Sequence, residues 1–175
     1  MNIREAKKSD AEALLVLFAK LDSESDFMLF EPKERQITTS EQEAIIDSFS
    51  KISNRLMLIA DFGKVAGVCV LAGNQQRRNS HVASLVIGVL KSKWKQGIGS
   101  RLLETVIARA EGAGIKRIEL TVRTNNEAAI ALYTKYGFVK EGERMGSLNV
   151  GGKLVNEYYM AMNTSTGCIA GSIVN

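Results

Sequence analysis

The 175-residue chain has few of the residues that metal sites and disulfide frameworks need, namely one histidine and two cysteines, Cys69 and Cys168. A single histidine cannot build a histidine-rich site, and no CxxC or HxxxH spacing occurs, so no structural metal is expected. Two cysteines do not make a disulfide framework. Cys69 lies in an apolar run, where a cysteine usually acts as a small buried hydrophobe.

Long apolar runs and blocks of one charge are missing as well. No stretch approaches the roughly 20 residues of a membrane span, and the first residues lack a signal-peptide core. The net charge is only +4, with small basic groups at Arg77–Arg78 and at Lys91, Lys93 and Lys95, whereas a nucleic-acid module would show a longer basic stripe with interleaved aromatics. We therefore predict one cytoplasmic domain without membrane or nucleic-acid partners.

A pair of glycines, Gly97 and Gly99, opens a helical pattern in which Leu102, Val106 and Ala110 repeat every four residues. Glycine lets the backbone approach a ligand closely, and free N–H groups at a helix start suit a phosphate or pyrophosphate. The dinucleotide fingerprint is excluded because Leu102 stands where a third glycine is needed, and no P-loop string occurs. The alternative is that the glycines only shape a strand-to-helix turn.

A second helix follows an alternating strand, Ile118 to Val122. Thr124 and Glu127, three residues apart, resemble a capping box at its start. Asn126 and Tyr133 are about two helical turns apart and project from nearly the same side. They either form a polar site near the glycine turn, or serve as a helix cap and a core aromatic with a solvated hydroxyl.

Together these motifs resemble the GNAT superfamily of acyl-CoA-dependent N-acetyltransferases, over residues 1–162. The family's cofactor motif is Arg/Gln-x-x-Gly-x-Gly/Ala, and this chain reads WKQGIGSRLL from Trp94 to Leu103. The later family motif is Asn-x-x-Ala-x-x-Leu-Tyr-x-x-x-Gly-Phe, and this chain reads NEAAIALYTKYGF from Asn126 to Phe138. Trp94 stands where the family usually has Arg or Gln, which removes one polar contact to the pyrophosphate.

The patterns along the chain predict the order β-α-α-β-β-β-α-β-α-β-β, which matches the GNAT order and an α/β (α+β) fold of three layers. Its mixed, mostly antiparallel central sheet is flanked by helices. Ser9 and Glu12 predict a capping box for the first helix. The second helix is expected at 40–52. Residues 163–175 are expected to form a tail or a late strand at an oligomer interface. The inner side of the second helix is predicted to carry Ala44, Ile45, Phe49 and Ile52.

The resemblance implies acetyl-CoA as co-substrate and a site without metal. The backbone N–H near Val89 would stabilise the carbonyl oxyanion, Asn126 would contact the pantetheine arm or order the site, and Tyr133 would protonate the CoA sulfur. A phenol with a pKa of ~10 is protonated at neutral pH and needs no tuning for that role. The pyrophosphate would lie on the backbone of Gln96, Gly97, Ile98, Gly99 and Ser100.

The general base stays open. Some family members use a glutamate on the strand before the glycine turn, where this chain has Ser84, which cannot act as a base. His81 lies on the same strand three residues earlier, on the opposite face. Glu157, on the last strand pair, is another candidate, and water is a third.

The leading functional hypothesis is acetyl transfer to a small-molecule amine or to a protein N-terminal or lysine amine in a ternary complex. The alternatives are an acyl-CoA sensor without turnover and an interaction module. By resemblance, a homodimer is also possible. In the family, the region around residues 22–38 helps to form the acceptor pocket, and here its centre is apolar.

Overall fold

Within residues 1–164, which a computed structural model of the protein describes, seven strands and four α-helices follow in the predicted order. The sequence-based fold class, a mixed and mostly antiparallel sheet flanked by helices, is confirmed. The elements are β1 (Asn2–Glu5), α1 (Ala11–Glu24), α2 (Thr39–Ser50), β2 (Arg55–Asp61), β3 (Val65–Gly73), β4 (Val82–Val89), α3 (Ile98–Gly112), β5 (Arg117–Arg123), α4 (Glu127–Lys135), β6 (Val139–Val150) and β7 (Lys153–Asn163).

The strands form one sheet in the order β1-β2-β3-β4-β5-β7-β6. Every neighbouring pair is antiparallel except β4 and β5, which run parallel. Parallel neighbours need a crossover connection, and α3 supplies it. This one parallel pair, at the centre of the sheet, is where the candidate site lies.

The two faces of the sheet carry separate apolar cores because side chains alternate along each strand. Helices α3 and α4 cover one face, where Leu102 and Val106 pack on strand residues such as Leu58 and Ile118. Helices α1 and α2 cover the other face over β2 and β3. The sheet is thus sandwiched by a helical layer that follows the glycine turn and a helical layer from the start of the chain.

The start of the first helix differs from its prediction. A 3-10 turn occupies Lys8–Asp10, and α1 begins at Ala11, without the expected Ser9–Glu12 box. Asp10 takes over: its carboxylate accepts the Lys7 N–H (2.7 Å) and forms an ion pair with Arg4 (2.7 Å). The ion pair joins residues six positions apart, beyond the three-residue spacing of a capping box.

The inner face of α2 also differs. Gln42 and Ile46 are buried there and Phe49 packs beside them, whereas the predicted Ile45 is exposed. Ile45 and Ile46 are adjacent, so only one can join a stripe with spacing of three and four residues. The stripe that forms runs from Gln42 through Ile46 to Phe49.

At the end of the described chain, β7 continues to Asn163, and the Thr164 N–H donates to the Lys116 carbonyl (3.0 Å). From residue 165 onward the predicted tail lies outside the described residues, as does Cys168. The division into residues 1–162 and 163–175 stays a prediction.

Candidate active site

The two parallel strands separate partway along their length. Only Val82–Ser84 of β4 pair with Arg117–Glu119 of β5, although β4 continues to Val89 and β5 to Arg123. A gap therefore opens between residues 85–89 and residues 120–123, widest at the carboxyl ends of both strands. Open α/β sheets bind ligands beyond the carboxyl ends of such strands. We call this space the splay gap.

The backbone of Val89 faces the splay gap. Leu90 N–H donates to Ala66 (3.0 Å) and Val82 accepts from Asn74 (3.1 Å), which turns the even-numbered residues of β4 toward β3. Because backbone groups alternate along an antiparallel edge, the N–H of Val89 points the other way, toward β5. Its position fits the oxyanion donor expected from the sequence.

Trp94 forms a hydrogen bond with the backbone of the same residue. Its indole N–H donates to the Val89 carbonyl at 2.7 Å. Sequence reasoning treated Trp94 only as the loss of a pyrophosphate contact and missed this bond. No local pattern could have shown it, because the bond depends on the path of the turn between Val89 and the helix.

The glycine turn leaves the start of α3 open. Gly97 adopts a left-handed conformation (φ 75°), as does Lys95 (φ 59°), and no side chain caps the helix. The first intrahelical bond runs from Arg101 N–H to the Gly97 carbonyl (3.0 Å). The N–H groups of residues 98–100 thus have no partner within the helix. Together with the positive end of the α3 dipole, they are available to bind an anionic ligand.

Helix α4 packs against the first turn of α3. A Cβ on Gly99 would lie 3.2 Å from the side chain of Leu132, so the absence of a side chain lets α3 and α4 approach closely. Asn126 caps α4, as one of the two sequence-based readings predicted, because its Oδ1 accepts the Ala129 N–H (3.2 Å). The predicted capping box of Thr124 and Glu127 does not supply this cap. Asn126 directly precedes its helix, whereas Thr124 is two residues too early for the cap position.

Tyr133 is the buried residue of α4 and belongs to the core on this face of the sheet, and only 7% of it is exposed. Its ring packs against Phe138 with centroids 5.6 Å apart. Burial, helped by the nearby Cys69, raises the pKa of the phenol well above 10. The hydroxyl therefore stays protonated at every physiological pH. Val89 packs against the same apolar cluster, so the two predicted catalytic residues lie on the same face of the sheet.

Cys69 itself is fully buried and unpaired, as the sequence predicted. Burial raises the pKa of its thiol, which keeps it from forming the thiolate that a nucleophilic cysteine needs. Cys69 is therefore a structural residue of β3 that belongs to the same apolar cluster as Tyr133.

The candidate bases are not brought together. His81 is exposed at the closed end of the splay, where its carbonyl accepts from Lys116 and Arg117 (2.8 and 3.1 Å). Eight residues of extended strand, roughly 26 Å, separate it from Val89. Ser84 is exposed on β4 opposite Glu119.

Glu157 does lie near the wide end of the splay gap, paired in register with Arg123. It is 7% exposed and already committed, since Arg144 forms an ion pair with its carboxylate (3.0 Å) and Ser147 donates to it (2.9 Å). These two contacts point to a structural role for the carboxylate.

Arg123, which sequence reasoning missed, is buried at the end of β5 with 9% exposure. Its Nη1 donates to the Asp26 carbonyl (2.5 Å), and its guanidinium lies over the Phe27 ring at 5.2 Å. The available signal was an arginine that ends an alternating apolar strand directly before the Asn126 motif. Contacts 97 residues away in the chain left no mark in that pattern.

Neither a metal site nor a membrane span is found in the part of the chain that the structure describes. No three His, Cys, Asp or Glu side chains group there as metal ligands. Among residues 1–164, no helix has the length and apolar character needed to cross a membrane.

Comparison with known proteins identifies the family to which the chain belongs. The family model of the acetyltransferase (GNAT) family matches residues 20–138. The chain therefore belongs to the GNAT family, as its two motifs predicted. A GNAT acetyltransferase from Streptococcus pneumoniae superposes with a TM-score of 0.90 at 34% identity, over 93% of this chain and 98% of that one.

Two further relatives add detail. L-amino acid N-acetyltransferase AaaT of Escherichia coli (strain K12) is 40% identical over 101 residues, which is 57% of this chain and 62% of AaaT. The match thus spans less than two thirds of that protein. Salmonella typhimurium yncA, solved with its cofactor acetyl-CoA, has a TM-score of 0.83 over 94% of both chains, but at 17% identity it shows the fold alone.

Proposed function

We propose that the protein transfers an acetyl group from acetyl-CoA to a primary amine by direct attack in a ternary complex. The observation that carries the proposal is the splay gap, because the N–H of Val89 points into it and the uncapped start of α3 follows Val89 in the chain. An N–H donor for a carbonyl oxygen and a row of N–H groups for phosphates are what a CoA thioester requires.

In this proposal the pyrophosphate lies on the backbone of residues 96–100, and Asn126 contacts the pantetheine arm. The amine nitrogen attacks the thioester carbon, and the N–H of Val89 stabilises the oxyanion that forms. The C–S bond then breaks, and Tyr133 gives its proton to the sulfur. Water returns a proton to Tyr133 and removes the extra proton from the new amide nitrogen.

Water is preferred as the base because the other candidates are poorly placed. His81 lies at the closed end of the splay, and Glu157 is occupied by Arg144 and Ser147. Holding a neutral amine next to the thioester already supplies much of the rate enhancement.

One relative indicates the class of the acceptor amine. AaaT is named for acetylating L-amino acids, which favours a small-molecule amine here, while a protein N-terminal or lysine amine is the alternative. The homodimer and the cytoplasmic location stay predictions.

Thermal unfolding with acetyl-CoA, with free CoA and ATP as controls, tests the cofactor half of the proposal. A ligand at ~100 times its Kd adds about 2.7 kcal/mol to the free energy of unfolding. We expect a clear rise in Tm with acetyl-CoA and none with ATP. No rise at saturating acetyl-CoA would reject the proposal.

A thiol-release assay over a panel of amines tests the transfer half. We expect CoA release that depends on both acetyl-CoA and an amine, with the acetylated amine detected by mass spectrometry. Stabilisation by acetyl-CoA without transfer to any amine would instead identify the chain as an acyl-CoA sensor.

A further inference from the structure

Arg123 is a buried cation without a buried anion. Only 9% of the residue is exposed, its Nε has no hydrogen-bond partner, and its Nη1 donates to a neutral backbone carbonyl, that of Asp26. Within residues 1–164 no carboxylate forms an ion pair with it. A charged group is rarely buried without pairing, because the lost hydration must be replaced.

The nearest carboxylate in the sheet does not serve as its counterion. Glu157 is the register partner of Arg123, yet its carboxylate is bound by Arg144 and Ser147. The three charged side chains Arg123, Arg144 and Glu157 together carry one net positive charge. The cluster is therefore complementary to a ligand with one negative charge.

The position of Arg123 assigns that ligand to the acceptor side. Val122 belongs to the core under α3 and α4, so strand alternation places Arg123 on the opposite face of the sheet. Tyr133 and the glycine turn approach the splay gap from the α3 face, while Arg123 stands at its wide end on the α1 face. The thioester and the anionic ligand would thus reach the gap from different sides.

Segment 25–38 forms the outer wall of this position. Phe27 stacks on the guanidinium and is itself 41% exposed, so an exposed apolar ring lies over the buried cation. Arg35 holds the far part of the segment through the buried Asp22 (2.9 Å). The wall offers an apolar contact next to the positive charge.

We propose that Arg123 binds a carboxylate of the acceptor, so that the substrate class is an amine that carries a carboxylate, such as an amino acid. A guanidinium matches a carboxylate in shape as well as charge, because two N–H groups can bind both oxygens. This inference rests on the proposed acetyl transfer and adds the substrate class to it.

The first test compares acceptors that differ only in the carboxylate. L-Amino acids, and the ω-amino acids β-alanine and 4-aminobutyrate, are assayed against the corresponding amino-acid amides and the decarboxylated amines. We expect kcat/KM to be at least about tenfold higher for carboxylate-bearing amines, as a hydrogen bond to a charged group provides. Equal rates for acids and amides would overturn the inference, as would transfer only to amines that lack a carboxylate.

The second test asks whether Arg123 is the cause of the preference. In Arg123→Met we expect the KM for carboxylate acceptors to rise at least about tenfold and the preference over amides to disappear. The KM of Arg123→Lys should lie between those of Arg123→Met and the wild type. The exposed Arg78→Met is the matched control and should behave as wild type. If Arg123 only ties segment 25–38 to the sheet, acids and amides will lose activity equally, which would refute the assignment.

Failure of this inference is distinguishable from failure of the proposed function. Stabilisation by acetyl-CoA is measured on wild type and Arg123→Met alike, and we expect the same Tm rise in both. Transfer to amines without any preference for a carboxylate leaves the acetyltransferase standing and removes the substrate class. Absence of transfer to every amine removes both.

Discussion

The two faces of the sheet differ in how their candidate functional parts are assembled. On the α3 and α4 face, all the parts come from one stretch, residues 89–138, and most of them are backbone N–H groups and a buried phenol. On the α1 face the parts are charged side chains from distant segments, as in the bond from Arg123 to Asp26 across 97 residues. The parts on one face come from a single stretch of the chain, and those on the other face are brought together by tertiary contacts.

This difference corresponds to a division of chemistry. Backbone groups at a glycine turn can bind the same cofactor whatever the neighbouring side chains are, which suits a ligand shared by a whole family. Side chains such as Arg123 and Arg35 can be exchanged one by one, which suits an acceptor that varies among relatives. Substitutions on the two faces should therefore change different kinetic constants.

The largest expected effect is on the α3 and α4 face. We expect Tyr133→Phe to lower kcat by 10²–10⁴-fold, the range of a positioned general acid, while the Kd for acetyl-CoA stays within a factor of about three. The phenol supplies only a proton, so its removal should leave cofactor binding intact. Steady-state kinetics and calorimetric titration with acetyl-CoA measure the two quantities.

Tyr136→Phe is the matched control, because its hydroxyl bonds to Glu104 on the surface of the same helix pair (2.5 Å). It should retain near wild-type kcat, and unchanged turnover in Tyr133→Phe would remove Tyr133 from the mechanism. Since burial raises the pKa of Tyr133 above 10, we also expect no descending limb from its ionisation in the pH profile of kcat below pH 10.

On the α1 face, Arg35→Met should act on stability and on the acceptor rather than on the cofactor. The substitution leaves Asp22, whose side chain is 1% exposed, as an uncompensated buried charge, and removes a guanidinium packed 4.5 Å from the Phe18 ring. Loss of one partner of a buried pair costs about 3–5 kcal/mol. Chemical denaturation should show that loss, together with a raised KM for the amine.

The double variant Asp22→Asn/Arg35→Met sharpens this prediction. Removing both charges takes away the uncompensated carboxylate, so the double variant should be more stable than Arg35→Met alone. If the two losses simply add, the pair does not hold segment 25–38, and another contact must do so.

Features that depend on local sequence were predictable, whereas those that depend on tertiary contacts were not. The order of elements, the buried Cys69 and the glycine turn were all predictable, because each depends on spacing within a few residues. For the start of α4 the sequence offered both a Thr124–Glu127 box and an Asn126 cap, and the structure forms the Asn126 cap. For the inner face of α2 the prediction of Ile45 was wrong, because packing buries its neighbour Ile46.

The splay gap and the contacts of Arg123 could not be predicted from the sequence. The gap exists because β4 and β5 pair over only three residues, a property of sheet geometry that no residue type marks. The environment of Arg123 depends on Asp26 and Phe27 folding back from the start of the chain. Long-range contacts of this kind require the folded structure.

A smaller effect is expected at the glycine turn. Gly97→Ala places a Cβ at φ 75°, which costs about 1–2 kcal/mol for an L-residue. No atom lies within 4 Å of that Cβ, so the penalty is conformational. We expect the Kd for acetyl-CoA to rise about tenfold, equivalent to 1.4 kcal/mol, with little change in the KM for the amine.

Gly112→Ala at the other end of α3 is the control for this variant. A Cβ there also meets no atom within 4 Å, and the residue is helical. Alanine should raise the stability by about 0.4–1 kcal/mol and leave the Kd unchanged. An equal weakening of acetyl-CoA binding by both variants would indicate a general effect on α3 and not on the turn.

The smallest expected effect is at Trp94, where the indole N–H holds the Val89 carbonyl at 2.7 Å. Trp94→Phe keeps an aromatic ring but removes one hydrogen bond, worth about 0.5–1.5 kcal/mol. If that bond orients the Val89 peptide, its loss should lower kcat about threefold to tenfold with little change in the Kd for acetyl-CoA. A raised Kd with normal kcat would instead place Trp94 in cofactor binding, and would mean that the oxyanion donor is oriented by the strand alone.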